Sequence, residues 1–180
     1  MRMLATSRPI LQRIENLDAV PSRQDLHEKA AAHAEEVFAR KGEAPILWLI
    51  AHGLTVWWIE TPWQSQYEKD LFTRMMRSVM ADYRAHAYAF VSEVVFASIR
   101  DEEPEKVAEL LALAERDGVA SLPARYRDDA LVVSSFDRDG DCQLTRYLVT
   151  VRKRGPNFLG PRIDEETSGH PEGRLWNLLK

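Results

Sequence analysis

Two carboxylates stand in company that does not need them: Glu60 closes one apolar run and Glu93 sits inside another. Such a pair, buried together, would have a raised pKa and suit acid–base chemistry. With an acidic loop and a divalent ion it would suit a small hydrolase or nuclease. Their separation in sequence supplies no geometry for this, so the expectation is that Glu60 meets solvent beside a helix while Glu93 faces an edge or accepts hydrogen bonds. His27-Glu28 begins a pair of helical metal ligands, but the second histidine would have to stand at Ala31. His33 lies about 240° further round a helix, too far to share an ion with His27. His52 reads as a turn residue, His86 as a helix-end residue and His170 as a tail residue. Cys142 is the only cysteine, and the nearby Asp137, Asp139 and Asp141 oppose its thiolate, so an inert thiol is expected.

The string Asp137-Arg138-Asp139-Gly140-Asp141-Cys142 resembles the opening of an EF-hand calcium loop over about a dozen residues. Cys142 replaces the sharply turning glycine and Leu148 replaces the bidentate carboxylate, so a hairpin turn at Asp139-Gly140 is the expected use. The chain has no Gly-x-Ser-x-Gly elbow, no Gly-x-Gly-x-x-Gly and no Walker-type loop. No metal or cofactor is expected. Aromatics crowd elsewhere: Trp48, Trp57, Trp58 and Trp63 fall within sixteen residues, a density that suits a core and also a binding surface. Leu175, Trp176, Leu178 and Leu179 end a Gly/Pro-rich stretch and would either fold back or dock in another chain.

Composition bounds these options. The 180 residues are 45% hydrophobic and 29% charged, which fits one globular domain able to bury a core without disulfides. A net charge of −4 offers phosphate backbones no broad attraction, although residues 101–141 are acidic and 142–180 are basic. Arg146, Arg152, Lys153 and Arg154 lie on one basic strand, 146–154, with only Tyr147 as an aromatic platform. No run is long enough to span a membrane and no signal-peptide pattern opens the chain, so a cytoplasmic location is expected.

The elements that must position these groups follow from periodicity. Ile10, Leu11, Ile14 and Leu17 have helical spacing after Pro9, which predicts a short first helix. Ser22, as cap, opens a second helix with Leu26, Ala30, Ala34, Val37 and Phe38 on one face, stopping at Gly42. From Ile46 to Glu60 a β-branched and aromatic run breaks at His52-Gly53 and predicts a hairpin, with Ala51 opposite Leu54 and Trp48 opposite Trp57. Leu47, Leu49, Ala51, Val56 and Trp58 then share one face, and Trp48, Ile50, Trp57 and Ile59 the other. Neither face is polar, so both demand cover. Thr61-Pro62 predicts the start of a packing helix through Tyr83, and Tyr88–Ile99 a strand. Pro104–Gly118 reads as a helix with Val107, Leu110, Leu111 and Ala114 inward. Residues 130–136 and 143–153 read as a second hairpin.

The fold class is therefore α+β: a mostly antiparallel sheet of about five strands packed by amphipathic helices, in the order ααββαβαββ. Residues 1–154 form the domain and 155–180 an irregular C-terminal arm. By order alone the plan is similar to profilin-like and roadblock-type folds, with no motif residue matched. The leading expectation is a non-catalytic cytoplasmic interaction or regulatory module, meeting another protein or a second copy of itself. Its interaction candidates are Trp48, Trp57, Trp58, Leu175, Trp176 and Leu179. The alternatives are the metal-dependent hydrolase or nuclease using Glu60 and Glu93, and a weak nucleic-acid binder through residues 146–154.

Overall fold

The computed structural model describes residues 8–100, 102–152, 155–167 and 178–179. Among them three helices and one eight-stranded sheet account for the architecture, and every strand pair is antiparallel. In chain order the elements are β1 (Ile10–Asn16), α1 (Arg23–Lys41), β2 (Leu47–His52), β3 (Thr55–Glu60), α2 (Gln66–Asp82), β4 (Ala87–Ala97), α3 (Pro104–Asp117), β5 (Arg127–Asp137), β6 (Cys142–Thr150), β7 (Phe158–Leu159) and β8 (Ile163–Thr167). The sheet runs β1-β3-β2-β4-β5-β6, and β7 and β8 share the far edge of β6. The class is α+β as expected, but the strand count and order differ from the five-stranded plan.

The first correction is at the N-terminus, where the predicted helix is the edge strand β1, paired with β3. Four apolar residues in eight cannot establish a 3.6-residue period against a partner strand, and β-branched Ile10 and Ile14 suit a pleated edge. The second lies in the predicted arm. Residues 158–167 are strands: β7 and β8 are one broken edge, interrupted at Gly160-Pro161, where Gly160 N–H still donates to Leu148 O at 2.8 Å. A Gly-Pro step such as Gly160-Pro161 marks an edge interruption as readily as a loop.

The central hairpin keeps its faces but not its register. Ala51 lies opposite Val56 and Trp48 opposite Ile59, a turn moved one residue to Gly53-Leu54. Gly53 has φ 55° while Leu54 is not left-handed, as in a type II′ turn with glycine first. The shift moves each pairing by two residues, so no side chain changes face.

Both faces are covered by the chain itself. Leu26, Ala30, Ala34 and Phe38 of α1 pack on Leu49, Ala51, Val56, Trp58, Val91 and Leu131. On the other side Met76 and Met80 of α2, with Leu178, pack on Trp48, Ile50, Tyr88 and Phe90. Ser22 caps α1 in a full capping box with Asp25, as its sequence predicts. For α2 the start moves to Gln66: Ser65 accepts from Glu68 N–H, while Thr61 is buried and its Oγ1 accepts the Trp48 indole N–H at 2.9 Å. α3 packs at one end with Leu122 and Tyr126, so Leu110 is buried but Leu111 faces outward.

Two backbone positions make testable demands. Arg84 ends α2 with φ 52°, and Ala85 N–H reaches back to Met80 O at 2.9 Å, a closure that glycine serves best. Arg84→Gly should therefore raise stability by about 0.5–1 kcal/mol in chemical denaturation. Gly42 has φ 75°, and a Cβ there would stand 3.2 Å from Asn157 N, so Gly42→Ala should cost about 1–2 kcal/mol by the same measurement.

Candidate functional site

The carboxylates singled out in the sequence do not meet. Glu60 and Val91 both lie opposite Leu47, so Glu93 is two residues further along and two strands away, roughly 12 Å between backbones. Glu60 accepts from Gln12 Nε2 at 2.7 Å, and Glu93 accepts from Ala44 N–H at 2.7 Å, closing the turn before β2. Among the described residues no group of three histidine, cysteine, aspartate or glutamate side chains could hold a metal ion. The acidic string is the expected hairpin turn: Asp137 Oδ1 accepts from Asp141 N–H at 3.0 Å, and its carboxylate lies 3.3 Å from Arg23. Cys142 is buried and forms no disulfide.

A polar chain that the sequence did not single out runs through the first core. His27 lies on the buried face of α1 with no exposure, between Ser135 of β5 (Nδ1 to Oγ, 3.0 Å) and Thr145 of β6 (Nε2 to Oγ1, 2.7 Å). Thr145 donates its proton to Asp164 of β8. Asp164 also takes Arg162 Nε at 2.8 Å, and Arg162 reaches both oxygens of Glu28 at 2.9 and 2.7 Å. Proton counting fixes the tautomer. The Thr145 proton is engaged, so Thr145 Oγ1 accepts from His27 Nε2–H, and Nδ1 accepts from the Ser135 hydroxyl. Burial holds the imidazole neutral, its pKa lowered to about 4. The Thr145 and Arg162 hydrogen bonds hold Asp164 below its usual range, and the Arg162 hydrogen bonds do the same for Glu28. Ser135 and His27 are arranged as nucleophile and base, but Ser135, Thr145 and His27 are all without solvent contact. The chain therefore pins α1 to three strands.

Its sequence signal was available in part. His27 stands one turn before Ala30 and Ala31 on an apolar face, and Ser135 shares sheet parity with Val133 and Leu131. Three polar residues on one buried face imply mutual hydrogen bonds.

The interaction candidates divide. Trp48 and Trp58 are buried in opposite cores, so neither is free to meet another chain. Arg13 stacks on the Trp58 ring at 3.7 Å, and Trp58 Nε1 donates to Glu15 at 3.2 Å. Trp57 is partly buried under Tyr83, with ring centroids 4.2 Å apart. Leu179 packs with Leu178 against the second core of its own chain. Leu175 and Trp176 lie outside the described residues.

Among the described residues, the outer edge of β1 has no strand partner. Leu11 and Ile14 of β1 are each 54% exposed and point to the α2 side, where Ile14 lies beside Trp57 and hence Tyr83. On the α1 side β1 carries Arg13 and Glu15. The opposite edge differs, because β7 and β8 are split by Gly160-Pro161-Arg162 and β8 bears Asp164 and Glu165. Such features discourage strand addition, and β1 has no proline and only one bulge, at Gln12. Two clefts flank α1. One, of about 290 Å³, is lined by Arg13, His33, Arg40, Lys41, Trp58 and Glu60, among others. The other, of about 530 Å³, lies between α1 and β7.

The basic strand is interrupted. Arg146 pairs with Glu165 at 3.2 Å, Arg152 lies 4.5 Å over the Phe158 ring, and Lys153 and Arg154 lie outside the described residues. No described helix is long and apolar enough to cross a membrane. Comparison of the chain with protein-family models, with curated proteins and with solved structures returns no match.

Proposed function

We propose that this chain is a non-catalytic interaction module that self-associates by pairing β1 with β1 of a second copy. The single observation that carries the reading is the apolar β1 edge, unpaired among the described residues, on a sheet whose two faces are already covered. An antiparallel pair of identical strands around a two-fold axis has few registers, and charge selects among them. Centring on Ile14 sets Ile14 against its counterpart and Arg13 against Glu15 in both directions. Centring on Arg13 would set like charges face to face, which is unfavourable. The chosen register joins the Leu11, Ile14, Trp57 and Tyr83 surfaces of the two copies into one apolar seam. A lone cysteine without a disulfide suits a reducing cytoplasm, where we place the module.

Multi-angle light scattering tests this. The wild type should be dimeric at about 100 µM, which requires association stronger than about 5.5 kcal/mol. Ile14→Arg should be monomeric with unchanged circular dichroism, because Ile14 is an exposed edge residue. A monomeric wild type at that concentration overturns the proposal.

The metal-dependent and nucleic-acid alternatives gain less support. One needs Glu60 and Glu93 in one cleft, and the other needs a continuous cationic strand.

A further inference from the structure

We propose that the cleft between α1 and β7 is a binding site for a small amphiphilic monocarboxylate. Its volume, about 530 Å³, belongs to the range that encloses small ligands. Phe38 and Ala39 of α1 form one wall, and Pro156, Phe158 and Leu159 the other. These walls are set by the backbone. The C-cap glycine of α1, Gly42, packs directly on Pro156 and Asn157, Asn157 Nδ2 donates to Gly42 O at 3.3 Å, and Gly160 N–H ties the far end to β6. A cleft held from both ends keeps its shape when empty, which lowers the ordering cost of binding.

The charges around it decide the chemistry of the ligand. Arg162 already meets Glu28 and Asp164, so it offers no vacant charge. Glu35 takes the Tyr147 hydroxyl. Arg152 is different: its guanidinium lies over the Phe158 ring, and no acidic side chain among the described residues meets it. Phe158 is 42% exposed although it faces a cleft wall, and its ring holds the cation at the mouth. The cleft thus offers apolar walls, a carboxylate, Glu35, engaged by the Tyr147 hydroxyl, and at its mouth a guanidinium, Arg152, that no described acid meets. A single carboxylate with an aliphatic or aromatic tail satisfies both features. A phosphate dianion would bring two negative charges to one guanidinium with Glu35 in the same cleft, where a carboxylate brings only one, and an uncharged chain would leave Arg152 as it is.

Calorimetric titration with decanoate tests the assignment on the full chain. Wild type should bind one equivalent. Arg152→Gln should weaken binding at least tenfold, Phe158→Ala should weaken it several-fold, and decanol should bind at least tenfold less tightly than decanoate. Both altered side chains are exposed at the mouth, so both variants should keep the wild-type circular dichroism spectrum. A peptide C-terminus could supply the same carboxylate, so a hexapeptide ending in leucine forms a second arm. Absence of decanoate binding, equal binding by Arg152→Gln, or decanol binding as tightly as decanoate would overturn the proposal. Tighter binding of the peptide than of decanoate would overturn its small-molecule form.

Discussion

Trp48→Ala should lower the free energy of unfolding by about 4 kcal/mol or more in chemical denaturation. Trp48 has no solvent contact, and its ring lies 4.3 Å from Phe90 and 6.1 Å from Tyr88. Truncating a buried tryptophan removes its transfer energy and leaves a cavity that a sheet of fixed spacing cannot close. It also deprives the buried Thr61 Oγ1 of its donor, adding the cost of an unsatisfied polar atom. Trp48→Phe separates the two effects: it fills much of the space and loses only the indole donor, so it should cost about 1–2 kcal/mol.

The second large effect is a pH dependence centred on His27. Its folded pKa of about 4 lies below the ordinary value of 6.5, because burial disfavours the imidazolium. A depressed histidine pKa means that the unfolded chain binds the proton more readily. Stability is therefore full above about pH 6.5 and is lost as pH falls from there toward 4, by about 3 kcal/mol. Asp164, Glu28 and Glu15, all held below their usual ranges, lose stability lower still, as they protonate. His33, whose pKa burial also lowers, adds a smaller slope in the histidine window. His27→Gln should flatten most of the change between pH 6.5 and 4.5. At pH 7.5 the same variant should be about 2–3 kcal/mol less stable than wild type, since a flexible amide replaces a ring that spans Ser135 and Thr145. Urea unfolding at several pH values reads both effects; an unchanged slope would place the proton elsewhere.

The sequence carried the parts of the fold that local chemistry decides. Ser22 with Asp25, Gly42 after Arg40-Lys41, and Pro104 with Gly118 each set a helix end where capping requires it. The two apolar faces of the Leu47–Glu60 hairpin were legible because alternation survives a register shift of two. What escaped was decided by distant partners. β1 takes its conformation from β3, and nothing in Ile10–Asn16 names that partner. β8 looks like a polar tail until β6 offers it a ladder. Thr61 resembles a cap until Trp48 claims its hydroxyl, leaving Ser65 to start α2. His27 beside Glu28 suggests metal chemistry, yet its place on the face of Leu26, Ala30 and Ala34 marks it as a core residue needing two polar neighbours.

Amide hydrogen exchange along residues 13–16, measured at low and high protein concentration, tests most directly whether β1 is the surface through which copies meet. Strand pairing predicts slower exchange at the outward-facing amides of this segment as concentration rises, with α3 amides unaffected. Exchange at β1 that is equally fast at both concentrations would contradict it.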